Sequence, residues 1–109
     1  MNNREFGKLG EDMAAGYLEK QGCEILRRNF RCREGEIDII AEKDGVLRVV
    51  EVKTRRPGLF GSPAEAVDRR KRAHIRQAAR VYLAECGRYY RSVDMDVIEI
   101  MLNHIKGAF

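Results

Sequence analysis

The chain has 109 residues, 35% charged and 44% apolar, with 21 Lys and Arg against 17 Asp and Glu for a net charge of +4. That length predicts a single domain over residues 1–109, able to bury one sheet-and-helix core without metal or disulfide staples, and the apolar content excludes a disordered tail. Fifteen of the 21 cations are arginine, the residue suited to bidentate contact with phosphate or carboxylate, so a polyanionic partner is already plausible.

Residues 4–21 carry Phe6, Leu9, Met13, Tyr17 and Leu18 at helical spacing, with Gly22 as a stop. Residues 23–31 read as a first strand that runs into the basic group Arg27, Arg28, Arg31 and Arg33. Two further strands, 35–41 and 46–54, flank Asp44-Gly45, a strong hairpin signal. A loop is expected at 55–61, around Pro57, Gly58 and Gly61. Ser62-Pro63-Ala64-Glu65 then has the form of a helix cap, opening a helix that runs to about residue 85 and ends at Gly87. The apolar stripe of that helix is Val67, Ile75, Ala78, Ala79, Tyr82 and Cys86. A last strand is expected over 92–101. The order α-β-β-β-α-β predicts an α/β fold in which helices flank one mixed sheet, the last strand pairing in parallel after its long crossover.

Cys23, Cys32 and Cys86 are odd in number and lack CxxC spacing, so neither a disulfide framework nor a zinc site is expected. The opening residues run into charge, and no apolar run approaches membrane-spanning length. A cytoplasmic protein with no membrane association is the expectation.

A two-residue turn at Asp44-Gly45 sets Lys43 opposite Val46, which brings Asp38 opposite Glu51 and Glu36 opposite Lys53. By strand alternation all four project from one sheet face, beside Ile40, Val49 and Leu47. Facing carboxylates repel, and a divalent cation would compensate; oxygen donors favour Mg2+ or Mn2+ over zinc. The alternative is a set of ordinary ion pairs on an open face. Against it, the other face, with Ile37, Ile39, Ala41, Val50 and Val52, is apolar too, so both sides call for cover. Glu11 lies at the edge of the first helix's apolar stripe, beside Gly7, Ala14 and Leu18, where small neighbours would let the helix approach the sheet and aim the carboxylate inward; a solvated glutamate is the alternative. Lys71 falls inside the second helix's stripe and either snorkels to solvent or points into the same cleft.

Asp38 followed by Glu51-Val52-Lys53 on an adjoining strand resembles the PD-(D/E)xK nuclease signature, with Glu11 on a preceding helix. More closely, Gly10-Glu11-Asp12-Met13-Ala14-Ala15, Asn29-Phe30-Arg31, Gly35-Glu36-Ile37-Asp38, Val50-Glu51-Val52-Lys53-Thr54-Arg55 and Phe60-Gly61-Ser62-Pro63-Ala64-Glu65-Ala66-Val67 resemble the YraN-like family, through Asp96-Val97-Ile98 on the last strand. The resemblance implies a core similar to that of restriction endonucleases and archaeal Holliday-junction resolvases. It implies Asp38, Glu51, the Val52 carbonyl and Glu11 as metal ligands, and Lys53 as the group that orients or activates the attacking water. Ile37 stands where the superfamily signature names a proline. Glu36, typical of the YraN-like group, takes a secondary role, pairing with Lys53 or ordering a ligand.

Arg31, Arg33, Arg55, Arg56, Arg69, Arg70 and Arg72 bracket the acidic centre and are candidate phosphate contacts, although charge runs are usually solvated faces. Tyr89 and Tyr90, beside Arg88 and Arg91, could stack on unpaired bases or sit at a sheet edge. His74 and His104 have no partner at ligand spacing, and Asp94 and Asp96 read as structural ion-pair residues. The expectation is a magnesium- or manganese-dependent nuclease hydrolysing DNA phosphodiesters, branched or recombination intermediates among its candidate substrates, with a homodimer implied by the resolvase likeness. A non-cleaving nucleic-acid-binding or scaffold protein is the alternative, and a metal-dependent RNA nuclease a third.

Overall fold

In the computed structural model residues 1–57 and 68–109 are described. The cap expected at Ser62-Pro63-Ala64-Glu65, Val67 of the expected stripe, and most of the expected loop lie outside the described residues.

Helix α1 spans Asn3–Lys20, and its N-cap Asn2 accepts the Glu5 backbone N–H through its side-chain oxygen at 2.8 Å. The face it buries is Phe6, Gly10, Ala14, Ala15 and Leu18. Met13 and Tyr17 of the expected stripe are instead 46% and 54% exposed. Close approach decides this: a Cβ placed on Gly10 would collide with Thr54 Oγ1, so the face nearest the sheet carries small residues and the larger ones turn outward.

Strands β1 (Glu24–Cys32), β2 (Gly35–Lys43) and β3 (Val46–Arg55) form an antiparallel meander. Asp44 and Gly45 turn the β2–β3 hairpin with φ of 52° and 76°, both left-handed as a type I′ turn needs, and Lys43 faces Val46 as expected. Helix α2 (Arg69–Cys86) begins later than the expected cap, at N-cap Asp68, whose side chain accepts the Lys71 backbone N–H at 2.8 Å; Gly87 closes the helix in the left-handed conformation. Strand β4 (Ser92–Met101) returns to pair in parallel with β3. The sheet order is β1-β2-β3-β4, and the element order is the expected α-β-β-β-α-β.

The helices cover opposite faces. Ala14, Ala15 and Leu18 of α1 pack on Ile39, Ala41 and Val50, while Ile75, Ala78, Ala79 and Tyr82 of α2 pack on Phe30, Ile40, Leu47 and Val49. The fully buried Ile39, Ile40, Leu47, Val49 and Val50 each contribute roughly 1.5–3 kcal/mol of hydrophobic stabilisation. Ile37 departs from simple alternation: it joins the α2-side cluster instead of Ile39's. Its partner on β1 is Phe30, which follows the left-handed Asn29 (φ 53°), a backbone irregularity that alternation alone does not foresee.

Candidate active site

The β2–β3 ladder runs from Lys43–Val46 to Ile39–Val50. One residue beyond it, the Asp38 carboxylate accepts the Val52 backbone N–H at 2.8 Å. Asp38 is thus pinned beside Glu51 through a side-chain bond rather than by a continued ladder. The alternation that buries Val49 against α2 turns Glu51 the same way, and Glu51 is 5% exposed. From α2, Lys71 sends its ammonium to within 3.7 Å of Glu51 Oε2. Of the two readings for Lys71, the cleft is where it goes.

Glu11, Glu36, Asp38, Glu51, Val52, Lys53 and Lys71 line one open cavity of about 420 Å³. The fold therefore gathers α1, β2, β3 and α2 around one charged space. Glu36 stands at its margin, 67% exposed, and pairs with Arg31 at 3.6 Å rather than with Lys53. The reason is register: Glu36 lies directly across from Arg31 on β1. Asn29 lies near enough to Glu11 to offset part of the rise in its carboxyl, a proximity missed in the sequence; an asparagine within a strand was the available signal.

The electrostatics follow from burial. Desolvation, reinforced by Asp38, raises the Glu51 carboxyl to about 7; the same two causes raise Glu11. Lys53 is lowered by its hydrogen bond with Lys71, by desolvation and by the neighbouring ammonium. For Lys71, desolvation is outweighed by the bonds to Lys53 and Glu51 and by the attraction of Glu51 and Asp38, so its affinity for a proton rises. The two lysines thus shift in opposite directions, Lys71 toward tighter and Lys53 toward weaker proton binding.

The donor set suits a hard cation. Glu11 Oε1 and Glu51 Oε1 are buried without a hydrogen-bond partner, and such orphaned carboxylate oxygens are what a divalent ion would satisfy. Among the described residues no three His, Cys, Asp or Glu side chains stand as a preformed cage. The carboxylates line the walls of the cavity and do not meet at its centre.

The candidate phosphate contacts divide. Arg33, Arg69, Arg70 and Arg72 are exposed. Arg55, by contrast, is largely buried and lies 3.5 Å from Glu99, and the Arg56 guanidinium sits 3.9 Å over the Phe6 ring. Both serve the fold where they stand. Asp94 and Asp96 do form a structural pair, each bonding Arg48 at 3.1 and 3.2 Å. No helix among the described residues is long and apolar enough to cross a membrane.

Fold and cavity define a small α/β domain, sheathed by a helix on each side, with the buried Glu51, two half-buried acids and a pair of lysines at one end of its central hairpin. The chain belongs to the family described as "Uncharacterised protein family UPF0102", which it matches over residues 10–100, bearing out the YraN-like resemblance. Its relatives include the UPF0102 protein of Syntrophomonas wolfei, 46% identical over 98% of this chain and 99% of that one. The UPF0102 protein of Caldicellulosiruptor bescii is 45% identical over the whole of both chains, and that of Dictyoglomus thermophilum 46% identical over 94% of this chain and 87% of its own.

Proposed function

We propose that the protein is a divalent-metal-dependent nuclease that hydrolyses DNA phosphodiesters. The observation that carries this reading is Glu51: a buried carboxylate with one unpartnered oxygen, placed beside Asp38 and Glu11 and faced by two lysines. Structural ion pairs do not need three acids in one cavity. Mutual repulsion among them is tolerated where a cation is to be bound.

Asp38, Glu51, Glu11 and the Val52 carbonyl would hold Mg2+ or Mn2+. When bound, the ion would supply Lewis-acid activation and neutralise charge developing on the phosphate. The chain's own groups do the rest. The Val52 N–H fixes Asp38 in place, so its carboxylate reaches the site without a search over rotamers. Lys53 orients the attacking water by hydrogen bonding, and Lys71 presents a positive charge to a phosphate oxygen. Arg33, Arg69 and Arg70 hold the flanking backbone.

The test is incubation of purified protein with duplex, single-stranded and four-way-junction DNA, and with RNA, in magnesium or manganese, beside Glu51→Ala and Lys53→Ala. Cleavage lost in both variants while binding persists is the expected result. Binding without cleavage of any substrate would leave the fold serving as a nucleic-acid scaffold, and cleavage confined to RNA would reassign the substrate.

A further inference from the structure

The parallel register of β3 with β4 sets Val49 beside Met95 and Glu51 beside Val97. Together with Ile75 from α2 they enclose a groove of about 260 Å³. Glu51 is shared: it lines this groove and also the carboxylate cavity. Glu51, with Ile75 beside it, separates the carboxylate cavity from a groove whose floor is apolar. On the α2 side the groove is lined by Arg72 and Arg76, one helical turn apart. Met95 and Val97, though apolar, are 44% and 40% exposed.

We propose, building on the nuclease reading above, that this groove receives an unpaired nucleobase adjacent to the scissile phosphate, so that the substrate is a strand with an unstacked nucleotide and not an uninterrupted duplex. A base has apolar faces and is tethered to an anion. Here an apolar floor adjoins guanidinium groups. The volume falls just under the roughly 300–1,000 Å³ of pockets that take whole drug-sized ligands, a scale that fits a single base. A base stacked inside a duplex cannot reach such a groove without being flipped out, whereas one in a bulge, flap or single strand can. Asp96 also lines the groove, but its carboxylate is engaged by Arg48 at 3.2 Å. An apolar peptide offers no anion to the exposed Arg76 guanidinium that lines the groove, so charge favours the nucleotide.

The experiment uses DNA carrying 2-aminopurine either paired within a duplex or as a one-nucleotide bulge, with calcium in place of magnesium to hold back cleavage. Binding is followed by anisotropy and by 2-aminopurine emission. The bulged DNA should bind roughly tenfold tighter than the paired one. Its emission should rise, because the described groove residues include no aromatic ring to stack on the probe. Val97→Trp, at a partly exposed position, fills the groove and should bring the preference below about twofold; Arg76→Glu, on exposed helix surface, should do the same if the tryptophan perturbs folding. Equal affinity for both DNAs without a rise in emission, or a preference that survives both variants, overturns the groove assignment and leaves the nuclease reading standing. Failure to bind any nucleic acid overturns both.

Discussion

Glu51 shows how one residue can cost stability at the centre of a proposed site. Its carboxyl is raised from 4.5 to about 7, with burial as the main cause. A raised carboxyl favours the folded state in full below pH 4.5, and that contribution is lost as the pH climbs through 7. At pH 8 the metal-free protein bears the whole cost of holding Glu51 ionised, on the order of 3 kcal/mol. Glu51→Gln should therefore melt at a higher temperature than the wild type at pH 8 in chelator, and within a few degrees of it at pH 5. Thermal denaturation at the two pH values checks this, and equal melting curves at pH 8 would mean that Glu51 is not strained in the fold. Lys71 and Glu51 were both legible in the sequence, because a lysine inside an apolar helical stripe and an acid between two valines each break a local pattern. The Arg31–Glu36 and Arg55–Glu99 contacts were not, since they depend on β1–β2 and β3–β4 registers that no single segment encodes.

The elements differ in how plainly their sequences announce them. Asp44-Gly45 specified the hairpin because only residues at ease with positive φ make a type I′ turn, and the register up to Ile39–Val50 follows from it. In α1 hydrophobicity points to Met13 and Tyr17, whereas the structure selects for thinness: Gly10 lets the helix axis come down onto Thr54. This predicts opposite outcomes at two glycines of one helix. Gly10→Ala forces a clash with Thr54 and should cost about 1–3 kcal/mol, while Gly7, with nothing near its added Cβ, should gain roughly 0.5–1 kcal/mol on becoming alanine. Urea unfolding of the two variants measures both, and a stabilising Gly10→Ala would refute the close approach. Asp68 caps α2 as described, while the cap expected at Ser62-Pro63-Ala64-Glu65 lies outside the described residues.

For the molecule as a whole, the +4 charge is a small remainder of two opposed fields, an acidic cavity and a basic surrounding surface. Nucleic-acid affinity should fall steeply with salt, and replacing Arg69 and Arg70 together with alanine should reduce the slope of log affinity against log salt by about 2 on duplex DNA. Arg55→Ala should leave that slope nearly unchanged and instead lower stability by about 1–3 kcal/mol, because its partner is Glu99 and not a phosphate. Titrations at several salt concentrations separate the two. The shared position of Glu51 also bears on how the molecule is assembled in time. The carboxylate cavity is centred on a hairpin whose strands meet across two residues, a contact of short sequence range. The groove exists only once Met95 and Val97 are brought beside residues 46 positions earlier in the chain, which requires α2 to be laid down and the longest loop in the sheet to be closed. The proposed ligands Asp38 and Glu51 thus belong to the fast, local part of folding, whereas Glu11 and the residues that would choose the substrate belong to the slower, non-local part.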